Sequence, residues 1–379
     1  MDKELLRLFD GDDVTVLGLM SGTSADGLDL CRVRFTGRDR YPRYAVLSTG
    51  FIPYPKEFGE AFKRPLELSG AEIAHWHMEW GRWAAKELKQ VRGDYDVIAS
   101  HGQTLLHRPP DYTLQIGEAR CVVQALKKPL ICDFRSADVC RGGQGAPLIP
   151  IVDDYLLRDE NDAVLALNMG GIANITWLPP KRSGLPIRAW DTGPANTLID
   201  KAVIDYSAGR RLYDKAGLIA RRGKTDRKVL KNLLQDPYFR RDIPKSAGQE
   251  QFGNDFYRKI KAQINPQTDT EWENFIRSLS DFTVESIVSE CGKRLPAEPR
   301  IRRIYASSGG AENLFILERL QERFPGTEVR NFDLPGVDSG SKEAFGFAYL
   351  GYLFLRRIPG NVPSVTGASK ACVLGTIYF

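Results

Sequence analysis

The sequence predicts an α/β protein of two βα domains, and three observations carry that prediction. Short apolar runs alternate with helical patterns along the whole chain. At 379 residues the chain exceeds what one core ordinarily supports. A pattern of apolar strand, glycine-containing polar loop and returning strand also occurs twice, about one domain's length apart.

The first copy opens the chain. Residues 14–20 read as a buried strand and residues 28–35 as its hairpin partner, with Arg32, Val33, Arg34 and Phe35 alternating at period two. Residues 71–91 read as a helix capped by Ser69, because Ile73, Trp76, Trp80, Trp83 and Leu88 recur at helical spacing. That tryptophan stripe predicts core packing. Residues 96–99 read as a strand running into a polar loop, 100–104. The second copy is strand 163–167, turn 168–171 and strand 172–178, and a second domain is expected to begin near 147–153. Later come a strand at 301–306, helices at 311–324 and 342–355, and a closing segment from 362. The expected division is 1–146 plus about 358–379 as domain I, and 147–357 as domain II.

Composition excludes several classes. Hydrophobic content of 42% with 27% charged residues is ordinary for a soluble globular protein, and no apolar run is long enough to cross a bilayer. The acidic first residues lack the basic-then-apolar order of a signal peptide, so a cytoplasmic protein without membrane partners is expected. The net charge of +5 comes from scattered basic residues without interleaved aromatics, which argues against a nucleic-acid groove. Six cysteines form no C-x-x-C pair, and four histidines offer no metal pairing, with His101 and His107 read as standing either side of a loop.

Phosphate-binding candidates come next. In the loop Gly22, Thr23, Ser24, Ala25, Asp26, Gly27, Leu28, Asp29, small residues let backbone N–H groups approach phosphate oxygens, and the two aspartates are hard ligands for Mg²⁺. No Walker A pattern is present. Gly170, Gly171 and Asn174 could hold phosphates from another side, and Ser308, Gly309 and Gly310 open a predicted helix whose N-terminus suits a phosphate or ribose. Each alone is an ordinary turn. The three in this order match the phosphate-1, phosphate-2 and adenosine signatures of the actin, sugar-kinase and heat-shock-ATPase fold, which implies two actin-like (ribonuclease H-like) domains with an interdomain nucleotide cleft. Asp191, held in a Gly-Pro turn, is a candidate general base. His101, Gln103, Thr104, Asp133, Arg135 and Asp138 form a polar set suited to sugar hydroxyls, an amide or a carboxylate, although some members, such as Arg135 and Asp138, could satisfy one another.

These residues resemble the anhydro-N-acetylmuramic acid kinases over essentially the whole chain. The resemblance runs through Met20-Ser-Gly-Thr-Ser-x-Asp-Gly27, Ser100-His-Gly-Gln-Thr104, Asp133-Phe-Arg135, Asn168-x-Gly-Gly-Ile-Ala-Asn174, Asp191-Thr-Gly-Pro194, Pro244-Lys-Ser246 and Lys342-Glu-Ala344. It implies an ATP-dependent kinase in which water opens a 1,6-anhydro bridge as the 6-oxygen is phosphorylated, with Asp191 activating the water. It also implies Mg²⁺ near Asp26 and Glu343, a homodimer, and a place in cell-wall recycling. A kinase for an unsubstituted anhydrosugar such as levoglucosan is the alternative, and a chaperone-like or cytoskeletal ATPase of the same fold is a more distant one. Three positions depart from the family pattern: Ala195 where glycine is common, and Cys140 and Arg141 where small alanines are common.

Overall fold

The computed structural model describes residues 3–22 and 25–379. The chain divides into two compact units, Met1–Tyr155 with Asp333–Phe379, and Leu156–Phe332.

In the first unit, β1 (Asp13–Ser21), β2 (Gly27–Thr36) and β3 (Arg43–Pro53) form an antiparallel meander. β4 (Val97–Arg108) lies parallel to β1 on its other side, β5 (Tyr112–Ile116) folds back on β4, and β6 (Leu130–Cys132) lies parallel beyond it. The second unit repeats this plan. β7 (Ala163–Met169), β8 (Ile172–Leu178) and β9 (Arg188–Pro194) form the meander, β10 (Ile301–Ser307) is parallel to β7, and β11 (Glu328–Asn331) is parallel to β10. With the β5 hairpin set aside, the orders β3-β2-β1-β4-β6 and β9-β8-β7-β10-β11 both follow the 3-2-1-4-5 plan of the ribonuclease H-like fold, and the short echo in the sequence is a repeat of topology. The chain then returns to the first unit through a ribbon of β12 (Asp333–Leu334) and β13 (Val337–Asp338), and ends in β14 (Thr376–Tyr378), antiparallel to β6.

Strand alternation decides which side of β1 meets which helix. Leu17 and Leu19 join Leu28, Leu30, Ile98, Trp80, Ala84, Leu88 and Val122 in one core, covered by helices Gly70–Leu88 and Ala119–Leu126. Trp80 is buried there, and a side chain of that size contributes about 2–3 kcal/mol by leaving water. Gly18 faces the opposite way, where helix Lys342–Leu355 approaches so closely that a Cβ would stand 2.1 Å from the Ala344 carbonyl oxygen. In the second unit, helix Asp269–Arg294 starts at a capping box of Thr268 and Glu271. Its Phe275, Ile276, Leu279, Phe282 and Ile287 pack in one core with Leu165, Leu167, Ile175 and Trp177.

Three readings of the sequence change. Helix Lys342–Leu355, expected in domain II, lies in the first unit, because its apolar surface packs on β1, β2 and β4. The polar stretch 100–104 is strand, not loop, and His101 and His107 both lie in β4, whose pairing with β5 carries the ladder through to Arg108. The helix expected over 311–324 is two elements, a 3₁₀ turn Gly309–Glu312 and a helix Leu314–Arg323. The Asn313 side chain accepts from the Ile316 N–H and starts the second afresh.

Candidate active site

In the first unit, the end of β1 is tied down by a buried polar network. Ser21 Oγ donates to Gln103 Oε1 at 2.5 Å, Gln103 Nε2 donates to the Gly22 carbonyl at 3.3 Å, and Trp80 Nε1 donates to the Tyr54 hydroxyl beside them at 2.6 Å. Gln103 is therefore spent on fixing the entry to the β1–β2 loop. Thr104 accepts from Gln115 Nε2 at 3.3 Å. Within the loop, Thr23 and Ser24 lie outside the described residues. Ala25 takes a left-handed φ of 51°, and a Cβ on Gly27 would come within 2.5 Å of the Ile52 carbonyl oxygen. The Leu28 side chain is in the core, so only its backbone could serve a ligand.

Asp26 is exposed, and Asp29 is half-buried opposite Met20. The Asp29 carboxyl is raised to about 6, first by burial and then by the negative charges of Asp26 and Glu343. Glu343 is exposed by surface area, yet protein crowds its carboxyl, and that crowding raises its pKa against the pull of Lys342 and Arg135. Three carboxylates thus share one negative region, although among the described residues no three ligand-type side chains converge tightly enough to form a metal centre by themselves.

His101 is buried and neutral. Burial, and then the Arg135 charge, lower it to about 3. Its Nδ1–H donates to the Ser21 carbonyl at 3.3 Å, and its Nε2 accepts from Arg135 Nε at 3.1 Å and Nη2 at 3.0 Å. Arg135 therefore pairs with His101 rather than with Asp138. Asp138 is wholly buried and accepts from the Gly145 N–H at 2.8 Å, Asn361 Nδ2 at 2.7 Å and Thr366 Oγ1 at 2.7 Å, so it stitches the glycine loop to the C-terminal segment. Asp133, at φ 58°, accepts from Ser136 Oγ at 2.5 Å and is exposed. A cavity of about 280 Å³ opens here, lined in part by Ser100, His101, Gln115, Asp133 and Ser136.

In the second unit, ladder pairing sets Ser307, Asn168, Asn174 and Asp191 in one row across β10, β7, β8 and β9. The Ser308 hydroxyl donates to Asn168 Oδ1, and Ser308 has a φ of 64°. A Cβ on Gly310 would stand 2.5 Å from Met169 Cβ, so only glycine lets this turn lie on the β7–β8 hairpin. Ser308, Gly309 and Gly310 open only the short 3₁₀ turn Gly309–Glu312, and the α-helix begins after Asn313, so the expected α-helix N-terminus does not stand at these residues. The carbonyls of Gly170 and Gly171 accept from the Asn196 N–H at 3.0 Å and the Ala195 N–H at 2.9 Å, fixing the turn against helix Asn196–Tyr206. Ala195 has φ −110°, outside the left-handed region that favours glycine.

Asp191 lies inside β9. Its Oδ2 accepts from the Ala247 N–H at 2.8 Å, and its carbonyl accepts from the Tyr238 hydroxyl at 2.7 Å. Burial raises its carboxyl to about 6, opposed by the Ala247 N–H and the Lys245 charge and assisted by Glu250. A half-buried carboxylate that ionises near neutrality is a competent proton acceptor. Sequence reasoning did not pick out Tyr238, Lys245, Ala247 or Glu290 around it, since they lie about 45–100 positions away along the chain. The one available signal was the Pro244-Lys-Ser246 block.

The sequence profile described as anhydro-N-acetylmuramic acid kinase matches residues 14–379. Proteins named anhydro-N-acetylmuramic acid kinase from Synechocystis sp. and Synechococcus elongatus are 37% and 38% identical. Each alignment covers 96% of this chain, and 98% and 99% of those proteins. Among solved structures, the (R)-2-hydroxyglutaryl-CoA dehydratase component A of Acidaminococcus fermentans matches over 90% of this chain and 99% of that one, at 10% identity and a TM-score of 0.42. With residues 14–379 matched, the chain belongs to the anhydro-N-acetylmuramic acid kinase family.

Proposed function

We propose that this protein phosphorylates 1,6-anhydro-N-acetylmuramic acid from ATP while water opens the anhydro bridge, giving N-acetylmuramic acid 6-phosphate and ADP. The observation that carries the reading is the Asp191 carboxyl, oriented by the Ala247 N–H and raised to about 6. In an anhydro sugar the 6-oxygen is locked in an ether and has no proton to lose, so the base must serve water. Water adds to the anomeric carbon and gives its proton to Asp191. The bond from that carbon to the 6-oxygen breaks, and the freed oxygen takes the γ-phosphoryl group. Among anhydro sugars, the names carried by the relatives favour the muramic substrate over levoglucosan.

ATP is assigned to residues 22–29 of the first hairpin, to Gly170, Gly171 and Asn174, and to Ser308, Gly309 and Gly310. The carboxylates fit a divalent cation, because mutual repulsion of Asp29, Asp26 and Glu343 is what such a charge relieves. Asp26 and Glu343, with Asp29, would hold Mg²⁺ largely through its waters, and the ion supplies charge neutralisation on the phosphates. Arg135, held by His101, is assigned to an anionic or carbonyl group of the sugar, with Gln103, Thr104, Asp133 and Asp138 shaping its site. A homodimer working in the cytoplasm on sugars released in peptidoglycan recycling completes the proposal.

The test is ATP turnover with 1,6-anhydro-N-acetylmuramic acid and with levoglucosan, run in ¹⁸O-water, with products analysed by mass spectrometry. A labelled, ring-opened sugar phosphate from the first substrate supports the proposal. Turnover of levoglucosan alone moves the substrate, and ATP consumption with neither sinks the substrate assignment.

A further inference from the structure

The block Pro244-Lys245-Ser246 has no part in binding ATP or sugar as assigned above, yet its lysine occupies an unusual place. Lys245 Nζ lies 2.8 Å from Glu290 Oε2, and the two side chains are 2% and 0% exposed. The same carboxylate oxygen accepts from Trp190 Nε1 at 3.1 Å and from Arg294 Nε at 2.7 Å. Lys245 Nζ also donates to the Tyr238 carbonyl at 3.4 Å and stands 4.2 Å from the centre of the Tyr238 ring. That ring's hydroxyl holds the Asp191 carbonyl.

The main chain of the same segment reaches Asp191 directly. The Lys245 carbonyl accepts the Asp191 N–H at 3.3 Å, and the Ala247 N–H donates to Asp191 Oδ2. Asp191 is thus gripped at its amide, its carbonyl and its carboxylate by groups that are tethered by one buried ion pair or lie against it. A buried ion pair adds little net stability over an apolar pair of the same shape, because desolvation offsets its attraction. What such a pair does supply is a single fixed arrangement of the groups around it.

We propose that Lys245 is a positioning residue for Asp191: its ion pair with Glu290 fixes the 245–247 segment so that the Ala247 N–H aims the carboxylate at the attacking water. This rests on the reading of Asp191 as the base. The charged groups facing the carboxylate are Lys245 and Glu250, with Glu290 and Arg294 behind Lys245.

The experiment compares full-length wild type with Lys245→Met and Glu290→Gln. Turnover with 1,6-anhydro-N-acetylmuramic acid is measured across pH, ATP affinity is measured separately, and the Asp191 carboxyl is titrated by ¹³C NMR of aspartate-labelled protein, assigned by its absence in Asp191→Asn. Lys245→Met should lose roughly tenfold or more in kcat, a part of what a general base contributes. KM for the sugar and affinity for ATP should stay within about twofold. The acid limb of kcat and the Asp191 titration should both move to higher pH. A folded Lys245→Met whose Asp191 titrates as in wild type overturns the proposal, as does a loss confined to KM or ATP affinity. If Lys245→Met does not fold, Glu290→Gln, which keeps the shape and the bond from Trp190, is read for the same loss in kcat at unchanged KM and ATP affinity. Because it keeps the lysine charge that lowers Asp191, a rise in the Asp191 titration there reports displacement of the Ala247 N–H alone, and unchanged kcat overturns the proposal. The titration needs no sugar, so a wild type inactive on the anhydro sugar defeats the functional reading alone.

Discussion

Replacing Asp191 by Asn should make the protein less active and more stable at the same time, and the second effect depends on pH. The carboxyl ionises at about 6 in the folded protein against 3.8 for an ordinary aspartate. The folded state therefore holds its proton more tightly than the unfolded chain, and the ionised form costs stability. That cost is complete above the folded pKa near 6 and disappears as pH falls toward the ordinary carboxylate range. The difference between the two pKa values corresponds to about 3 kcal/mol, and partial solvent access reduces it to about 1–2 kcal/mol. Asn keeps an oxygen for the Ala247 N–H and carries no charge, so it removes the cost while retaining the bond. Thermal melts should place Asp191→Asn a few degrees above wild type at pH 8, at roughly 2–4 °C per kcal/mol, with the gap shrinking toward pH 5. Turnover should fall by roughly two to four orders of magnitude with ATP affinity kept. A variant no more stable than wild type at pH 8, or a gap independent of pH, refutes the burial argument; near-normal turnover refutes the role as base.

Three further outcomes follow from the geometry. Gly18→Val drives a side chain into the backbone of helix Lys342–Leu355 and should cost about 3 kcal/mol or more, read as a lowered denaturant midpoint; an unchanged midpoint contradicts the close approach. Asp138→Ala strands the Gly145 N–H and the Asn361 and Thr366 donors and should cost about 3 kcal/mol, with limited proteolysis rising around 142–145 and 361–366. His101→Leu releases Arg135 and should raise KM for the sugar about tenfold, while His101→Gln, with one donor and one acceptor, should recover most of it. Equal KM values for the two variants would show that the bond to Arg135 is idle.

Strand–loop–strand units were legible because buried strands are continuous apolar runs and phosphate-type turns need glycine, so both copies stood out locally. The helix at 342–355 was equally legible as a helix, but its membership was not. Nothing within the segment says that Gly18, more than three hundred positions earlier, leaves the gap it fills. The polar stretch 100–104 misled for a related reason. His101 and Gln103 look like loop residues by type, and only their partners Ser21, Gly22 and Arg135 make them acceptable inside a strand. Asp191 was readable from its Gly-Pro neighbourhood, whereas its surroundings, Tyr238, Lys245 and Glu290, are assembled by tertiary contacts that no local pattern records.

The first unit is made from both ends of the chain, whereas the second is one uninterrupted stretch, Leu156–Phe332. During synthesis all of the second unit is made before helix Lys342–Leu355 is, so its core needs no later segment. The first must wait, with the face of β1 that carries Gly18 uncovered, until helix Lys342–Leu355 has emerged. A nascent chain stalled before residue 342 would expose that apolar sheet face to chaperones and proteases, so quality control of this enzyme is concentrated on the arrival of helix Lys342–Leu355.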